Sequence, residues 1–360
     1  MSFPLISFDP IQDYKNKNQL NQLSNIISID HKTTISTAYA YANKEEFSEF
    51  LKTYNVSREP ESLYKPIEYI LQLGGKRLRP VLTLMTTACF DGDVNRAMNA
   101  ALAVEVFHNF SLIHDDIMDA APLRRGKETV HEKWDLNTGI LSGDAMLIKA
   151  YQLFENYPPA TFRELAKLFS KTALEVCEGQ QYDIDFETRT KVSINEYLKM
   201  IEYKTAVLVG AAMKMGAIVA NASTEDQDRC YEFGKNLGIA FQLQDDYLDA
   251  FGNPETFGKQ VGGDILENKK TYLYLKAIEN GSPEICNQLS KLFQDSAENQ
   301  DNKVSKTLEL YVKTESNLAT KKAISFYTKA AFDVLENINM SSSNKQVLKV
   351  FGTELMTRDV

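Results

Sequence analysis

The chain has 360 residues, with 40 Lys and Arg against 49 Asp and Glu, so its formal charge at pH 7 is −9. This net negative charge argues against a surface built to bind nucleic-acid phosphates. Apolar residues make up 43% of the chain and charged residues 25%, a composition typical of globular proteins. With 17 Gly and 10 Pro, the chain has few of the turn residues that β-rich folds require, and the composition favours helices.

The cysteines and the hydropathy pattern bear on location. The cysteines lie far apart without a CxxC pair, which predicts buried thiols in a reducing compartment: Cys89, Cys177, Cys230 and Cys286. The N-terminus lacks the basic segment and cleavage pattern of a secretory signal. The longest apolar stretch, residues 206–220, contains Lys214 and is shorter than the ~20 residues that span a bilayer. We therefore expect a cytoplasmic protein without a membrane span.

The chain divides into two parts in sequence order. Residues 1–41 are rich in Asn, Gln, Ser and Thr without a sustained helical period, which predicts a flexible N-terminal extension. Over residues 42–360 apolar positions recur three and four apart, which predicts a single all-α domain. Residues 293–306 are polar enough to predict a surface loop between two helices of that domain.

Residues 102–119 carry one apolar helix face and a second, polar stripe at spacings of three and four. The stripe consists of Glu105, His108, Ser111, Asp115 and Asp119, and on so apolar a helix we expect it to face water or a cavity. It ends in a DDxxD motif, in which Asp115 and Asp119 place two carboxylates side by side, one helical turn apart. One interpretation is a solvated acidic helix face. The other is a Mg²⁺ site, since Mg²⁺ binds one or two carboxylates together with water and phosphate oxygens.

A second DDxxD motif follows the same design within the apolar segment FQLQDDYLD, at Asp245, Asp246 and Asp249. Gln242 shares a helix face with the first and last of these aspartates. Two acidic helices in one core indicate a shared cation cluster, which would require an anion to bridge.

Basic residues at four places could supply the groups that bind this anion. Lys76 and Arg79 lie in GGKRLRP, which is either an ordinary helix C-terminus with a Gly cap or a diphosphate clamp. Arg124 and Arg125 follow the first DDxxD and either bind the same polyanion, form a salt bridge with the carboxylates, or lie in a solvated loop.

The other basic residues lie further along the chain. Lys204 and Thr205 belong to a helix opened by a capping-box pattern, where the lysine either reaches the surface or binds phosphate. Lys259 and Lys269 flank the Gly-rich segment FGKQVGGDILENKKT, which is either a flexible surface loop or a lid over a phosphate. Gly179 lies in a predicted helix interior, and the close approach of a ligand or of another helix would explain it.

Together these segments resemble the trans-isoprenyl diphosphate synthases, the polyprenyl synthetase family that includes farnesyl and geranylgeranyl diphosphate synthases. The shared motifs cover roughly residues 60–275 and are GGKRLRP, FHNFSLIHDDIMDAAPLRRG, GQQYD, YKTA, FQLQDDYLD and FGKQVGGDILENKKT. The resemblance implies an all-α terpenoid-synthase fold, a helical bundle around a deep central cavity, and a homodimer. It also implies an Mg²⁺-dependent transfer of an allylic prenyl group to isopentenyl diphosphate.

The resemblance assigns roles to individual residues. Two Mg²⁺ ions are expected on Asp115 and Asp119 and a third on Asp245, with indirect contacts from Asp116, Asp246 and Asp249. The allylic diphosphate is expected on Arg124, Lys204 and Lys259, with Lys269 as a further candidate. Isopentenyl diphosphate is expected on Lys76, Arg79, His108 and Arg125. Oxygen dipoles from Thr205 and Gln242 are expected to stabilise the allylic cation. The catalytic set is then Asp115, Asp119, Lys204, Thr205 and Gln242.

Product length is predicted from the residues just before the first aspartate. Phe110 and Ser111 stand five and four positions before Asp115. An aromatic residue followed by a small one there, without an insertion in DDxxD, resembles geranylgeranyl-forming enzymes. This predicts C15 to C20 products, with C20 favoured.

Three other hypotheses remain open from the sequence. A ferritin-like di-metal protein would use the ExxH patterns at Glu105 and Glu128, but Pro122 between them argues against the separate long helices that such a site requires. A terpene cyclase would share the fold without requiring a second diphosphate site. A non-catalytic regulatory subunit could lose Asp or Lys positions, all of which are present here.

Overall fold

A computed structural model describes residues 29–252, 261–294 and 300–357, with side chains from residue 42 onward and at residue 40. These residues form sixteen α-helices and one two-stranded ribbon, so the all-α prediction is confirmed. The helices are α1 (Ile29–Thr53), α2 (Glu61–Gln72), α3 (Leu78–Cys89), α4 (Val94–Met118), α5 (Val130–Lys133), α6 (Leu136–Gln152), α7 (Pro159–Thr188), α8 (Ile194–Ile201), α9 (Val207–Val219), α10 (Thr224–Phe251), α11 (Gly263–Leu266), α12 (Tyr272–Asn280), α13 (Pro283–Leu292), α14 (Gln300–Lys313), α15 (Ser316–Glu336) and α16 (Ser342–Thr357). The ribbon pairs β1 (Leu123–Arg124) with β2 (Lys127–Glu128) in antiparallel register.

The described chain forms two compact units. The first unit contains residues 29–168, 212–227 and 339–351, and the second contains the described parts of 169–211, 228–338 and 352–357. Because each unit combines several chain segments, the division does not correspond to a boundary along the sequence. The boundary predicted at residue 41 falls inside α1, and residues 1–28 lie outside the described residues, so the flexible extension and the single domain stay predictions.

Helix α4 is the central element of the first unit. Its alanines at 97, 100, 101 and 103 are fully buried, and these small side chains allow α3 and α6 to pack closely against it. Its N-cap is Asp93, whose carboxylate accepts a hydrogen bond from the Asn95 backbone N–H. It ends at Met118, with Asp119 as its C-cap, so the first DDxxD occupies the last turn.

In the second unit a π-helical turn, Glu202–Ala206, joins α8 to α9. The capping box predicted for α8 is present, because Ser193 and Glu196 bond each other's backbone N–H groups. Gly179 in α7 packs directly on the π-helical turn: a Cβ at this position would lie 2.6 Å from the Tyr203 carbonyl carbon. The close approach of another helix therefore explains this glycine, as one of the two interpretations predicted.

The loop predicted at residues 293–306 is wrong from residue 300 onward, where α14 begins; residues 295–299 lie outside the described residues. The polar residues of this segment occupy the exposed face of the helix, while Thr307 and Tyr311 are buried on the opposite face. Lys303 is buried on the same face as Thr307 and Tyr311. The high polarity of residues 300–306 therefore did not mean that solvent surrounds them.

The prediction of four buried thiols is wrong at Cys177, which is exposed on α7. Cys89 and Cys230 are buried, Cys286 is half-buried, and all four are free thiols. Within the described ranges, no helix is both long and apolar enough to cross a bilayer.

Candidate active site

The first DDxxD divides its carboxylates between a buried and a more exposed face of α4. Asp115 and Asp119 stand one turn apart, linked by the Asp119 N–H donating to the Asp115 carbonyl at 2.9 Å. The Asp116 side chain is 1% exposed, and Arg124 donates to it from Nε at 2.7 and 2.9 Å and from Nη2 at 2.6 Å. Burial raises the pKa of Asp116, and its bonds to Arg124 oppose this rise. Asp116 is therefore an anchor for Arg124.

Arg124 is predicted to bind a diphosphate, and the structure shows how it is oriented. It lies on β1, where Asp116 holds one edge of its guanidinium group. Its Nη2 lies 3.8 Å from Asp115 Oδ2, and 25% of the side chain is exposed. The salt-bridge interpretation is thus confirmed for this cation, which is also positioned beside the carboxylate predicted to bind Mg²⁺. A diphosphate oxygen at Asp115 would lie within reach of the same guanidinium group.

Two of the residues predicted for isopentenyl diphosphate are in direct contact. Arg79 Nη1 lies 3.3 Å from His108 Nε2. Burial and the neighbouring arginines, Arg79 foremost, hold the pKa of His108 well below its usual value, so its ring is neutral at pH 7. Because a guanidinium group can only donate, Nε2 accepts this bond and the ring proton resides on Nδ1.

Arg125 lies against the glycine pair that precedes Lys76. Its Nη1 donates to the Gly74 carbonyl oxygen. A Cβ on Gly75, which has a φ of +131°, would lie 2.8 Å from Arg125 Nη2. Arg125 therefore supports the loop that carries the exposed Lys76.

Arg77 was not predicted as a site residue, yet it fixes this loop. It has a left-handed φ of 52° and donates to the Glu105 carboxylate and, at 2.5 Å, to the Leu71 carbonyl. Asn109 Nδ2 donates to the same carboxylate at 3.0 Å. Glu105 is 2% exposed, so the prediction that the whole polar stripe faces water or a cavity is wrong at this residue. The Glu105 carboxylate binds Arg77 of this loop rather than a metal ion, which argues against the ExxH di-metal hypothesis.

In the second unit a chain of hydrogen bonds links the π-helical turn to the second DDxxD. Thr205 Oγ1 donates to Gln242 Oε1 at 3.1 Å, and Gln242 Nε2 donates to Asp246 Oδ1 at 2.9 Å. Tyr197 donates to the other oxygen of Asp246. Burial raises the pKa of Asp246 to about 6, against the opposing effect of these two donors. The orientation of the Gln242 amide is thereby fixed.

Lys204 projects from the same π-helical turn. Its Nζ lies 2.5 Å from Asp183 Oδ2, and both side chains are about one quarter exposed. Asp183 is the last residue of GQQYD, so this motif supplies the packing glycine and also the counter-ion of the lysine. No pattern in the sequence predicted this π-helical turn. Such turns occur frequently at functional sites.

Residues 262–264 contact the last aspartate of the second DDxxD. The Asp264 N–H donates to Asp249 Oδ2 at 3.0 Å. Burial first, and then the charges of Asp246 and Asp249, raise the pKa of Asp264 to about 8. Lys269 Nζ lies 2.7 Å from Glu267 and 3.8 Å from Asp264. Lys259, the other predicted lysine of this segment, lies outside the described residues.

A cavity of about 130 Å³ lies within the second unit among these groups. Four predicted residues line it: Lys204, Thr205, Gln242 and Lys269. Its wall also contains four acidic residues: Asp246, together with Asp183, Glu187 and Asp264, which were not predicted as site residues. The arrangement combines cations, oxygen dipoles and buried carboxylates in one small volume.

The donor chemistry of both motifs fits Mg²⁺. No group of three or more His, Cys, Asp or Glu side chains forms a closed ligand set among the residues with a described placement. Mg²⁺ does not require such a set, because it binds one or two carboxylates and completes its coordination with water and phosphate oxygens. Burial first, and then the charges of neighbouring aspartates, raise the pKa values of Asp246 and Asp264, and a nearby divalent cation would favour their ionised forms.

Comparison with known proteins points to one enzyme family. The polyprenyl synthetase family profile matches residues 60–311. The geranylgeranyl diphosphate synthase of Methanosarcina mazei is 44% identical over 225 residues, which are 62% of this chain and 69% of the relative. A solved geranylgeranyl pyrophosphate synthase structure is 54% identical with a TM-score of 0.86, covering 89% of this chain and 98% of that one. The structure of geranylgeranyl pyrophosphate synthetase from Pyrococcus horikoshii is 31% identical, with a TM-score of 0.81, and the match covers 91% of this chain and 99% of that one. The chain therefore belongs to the polyprenyl synthetase family.

Proposed function

We propose that this prenyl diphosphate synthase joins isopentenyl diphosphate to an allylic diphosphate, head to tail, and releases mainly the C20 product. The observation that carries the proposal is the presence of two separate sets of cations, each beside its own structural anchor. Arg79 and Arg125 lie near the glycine loop of the first unit, with the neutral His108 ring in contact with Arg79. Lys204 and Lys269 line the cavity of the second unit. Two cation sets are what a reaction between two diphosphates requires, whereas a cyclase requires one.

The metal and substrate roles follow the motif positions. Asp115 and Asp119 would hold two Mg²⁺ ions and Asp245 a third, and bound Mg²⁺ supplies positive charge that stabilises a diphosphate leaving group. The allylic diphosphate would lie on Arg124, Lys204, Lys259 and Lys269, and isopentenyl diphosphate on Lys76, Arg79, His108 and Arg125. The neutral ring of His108 would orient Arg79 without adding charge of its own.

The reaction requires no side-chain nucleophile. The allylic C–O bond breaks, and the diphosphate leaves with the bonding electron pair, stabilised by the cations of Lys204 and Arg124. The resulting allylic cation is attacked by the isopentenyl double bond, and the released diphosphate takes the proton that is then lost. Thr205 and Gln242, held by Asp246, would direct oxygen dipoles at the allylic carbon.

Product length would be limited by the ring of Phe110. This ring is 8% exposed and lies 5.4 Å from the Phe107 ring and 4.8 Å from the His114 ring, so its position is fixed from both sides. Ser111 directs its hydroxyl to the His108 carbonyl at 2.8 Å, inside the helix. A growing prenyl chain would therefore meet a rigid aromatic floor five residues before Asp115.

The homodimer is supported by apolar side chains on the surface of α6. Leu136, Leu141 and Ile148 are each more than half exposed, and Ile140 lies between them. Covering such a patch favours association. We expect light scattering after size-exclusion chromatography to give the mass of two chains, and Leu141→Glu to give one. A cytoplasmic location accords with the four free thiols.

The deciding experiment combines purified protein, Mg²⁺ and isopentenyl diphosphate with C5, C10 or C15 allylic diphosphates in separate reactions. Products are dephosphorylated and sized by mass spectrometry. A linear C20 alcohol supports the proposal, and a linear product outside C15 to C20 overturns the assigned length. A cyclic hydrocarbon would indicate a cyclase, and the absence of turnover would indicate a regulatory subunit.

A further inference from the structure

Helix α14 packs beneath residues 262–271, the segment that carries Lys269. Gly262 has a φ of +87°, and a Cβ there would lie 2.7 Å from Val304 Cγ1. At the other end of the segment the Thr271 side chain lies beside Tyr311, which is 1% exposed on the same helix. Both contacts come from a helix that lies after all of the sequence motifs. The position of the segment is therefore set from outside those motifs.

A lysine occupies the buried face of α14 between these contacts. Lys303 is 5% exposed, and its Nζ donates to Asn268 Oδ1 at 2.6 Å. The same Nζ lies 5.7 Å from the centroid of the Phe293 ring. Burying an ammonium group is costly, and an apolar side chain of similar length would fill the space at less cost. The hydrogen bond from the Lys303 ammonium group therefore fixes the orientation of the Asn268 side chain.

Asn268 forms the turn that directs Lys269. Its φ of 58° is left-handed, a conformation that Asn adopts more readily than most residues. Its N–H donates to the Ile265 carbonyl at 3.2 Å, and the Lys269 N–H donates to the Asp264 carbonyl at 2.9 Å. This turn brings Lys269 Nζ to 3.8 Å from Asp264 Oδ1, at the cavity wall. The conformation of Asn268 therefore sets the direction of Lys269.

We propose that Lys303 is a positioning residue for prenyl transfer: through Asn268 it fixes the turn that presents Lys269 to the allylic diphosphate. The inference rests on the proposed function, in which Lys269 binds that diphosphate. Lys303 itself contacts no substrate. Its effect reaches the reaction through the backbone of residues 264–269.

The Lys303→Met variant removes the ammonium group and keeps an unbranched side chain. We expect the KM for the allylic diphosphate to rise about tenfold, since hydrogen bonds to charged groups are among the stronger ones in proteins. The KM for isopentenyl diphosphate should change by less than about twofold, because its proposed ligands belong to other segments. Thr307→Val is the matched control: it is fully buried on the same face of α14. Both KM values should stay unchanged in this control.

Variants of Asn268 test the same link if Lys303→Met folds poorly. Asn268→Gly keeps the left-handed backbone accessible and removes the acceptor, so the allylic KM should rise as in Lys303→Met. The double variant of Lys303→Met with Asn268→Gly should be no worse than either single change, because the two act through one bond.

Lys269→Met separates this inference from the proposed function. If it raises the allylic KM but Lys303→Met does not, or if Lys303→Met raises both KM values equally, the positioning role is wrong. If Lys269→Met leaves the allylic KM unchanged, the role of Lys269 in the proposed function is wrong. Hydrogen exchange of the backbone amides of residues 264–269 then decides the inference alone: faster exchange in Lys303→Met than in Thr307→Val supports it, and equal exchange overturns it.

Discussion

Replacing Gly179 with alanine tests whether helix packing in the second unit sets the shape of the site. The added Cβ would overlap the Lys204 backbone nitrogen and lie 2.6 Å from the Tyr203 carbonyl carbon and 2.7 Å from the Lys204 Cα. Ordinary contact begins at 3.4 Å, so the π-helical turn must move by roughly 0.8 Å or more. All of the atoms in conflict are backbone atoms, which a rotamer change cannot relieve.

Two opposing terms set the change in stability. Alanine in place of glycine inside a helix favours folding by about 1 kcal/mol, whereas overpacking costs about 1 to 3 kcal/mol. The net loss is therefore about 0 to 2 kcal/mol, and the Tm should fall by no more than roughly 5 °C. A misplacement of about 1 Å at a reacting centre costs on the order of 100-fold in rate. We therefore expect kcat/KM to fall about 100-fold in a protein that remains folded.

The assay is steady-state condensation kinetics together with thermal melts, with Gly352→Ala as the control. Gly352 lies inside α16, where a Cβ would meet side-chain atoms of Phe332 at 3.0 Å and Leu237 at 3.6 Å. These side chains can shift, so the control should keep its kcat/KM within about threefold. Unchanged kcat/KM in Gly179→Ala, or equal losses in both variants, would refute the reasoning.

Four further predictions follow from single contacts. Arg77→Met leaves a buried carboxylate without its charged partner and should lower the free energy of unfolding by about 3 to 5 kcal/mol, measured by chemical denaturation. Phe110→Ala removes the proposed aromatic floor and should lengthen the products seen by mass spectrometry; an unchanged distribution contradicts that role. His108 has a lowered pKa, so it takes up a proton only on unfolding as the pH falls below about 6.5. The original protein should therefore lose more stability than His108→Gln between about pH 7.5 and 5.5 in thermal melts. Tyr197→Phe removes a donor to the buried aspartate of the second motif and should cost about 1.5 to 3 kcal/mol of stability on denaturation.

Helical periodicity predicted the parts of the site that depend on spacing alone. Asp115 and Asp119 lie one turn apart on α4 because residues four apart share a helix face. The glycine at 179 indicated close packing because glycine is costly inside a helix. These inferences depend on the geometry of a helix and on the cost of glycine within it, and not on knowing the tertiary structure around that helix.

Side-chain direction at special backbone positions could not be predicted in the same way. GGKRLRP contains three cations, and a left-handed φ turns Arg77 inward to Glu105. Lys303 is buried because its helix packs under a turn 35 residues earlier in the chain, although its own segment is polar. The π-helical turn uses the same residue types as an α-helix, so composition does not distinguish the two. Each of these features depends on contacts between segments that are distant in sequence.

In both DDxxD motifs the second aspartate has a different role from the first and the last, and helix geometry explains why. The second aspartate of each is buried and held by neighbours, Asp116 by Arg124 and Asp246 by Tyr197 and Gln242. Successive residues of a helix are about 100° apart, so the aspartate adjacent to the first one necessarily points to a different side than the pair four apart. A DxxxD pair alone would still present two carboxylates to a metal. However, the helix end that carries the pair would then be free to fray. The additional aspartate ties that end to its own unit, so the motif contains both the proposed ligands and their anchor.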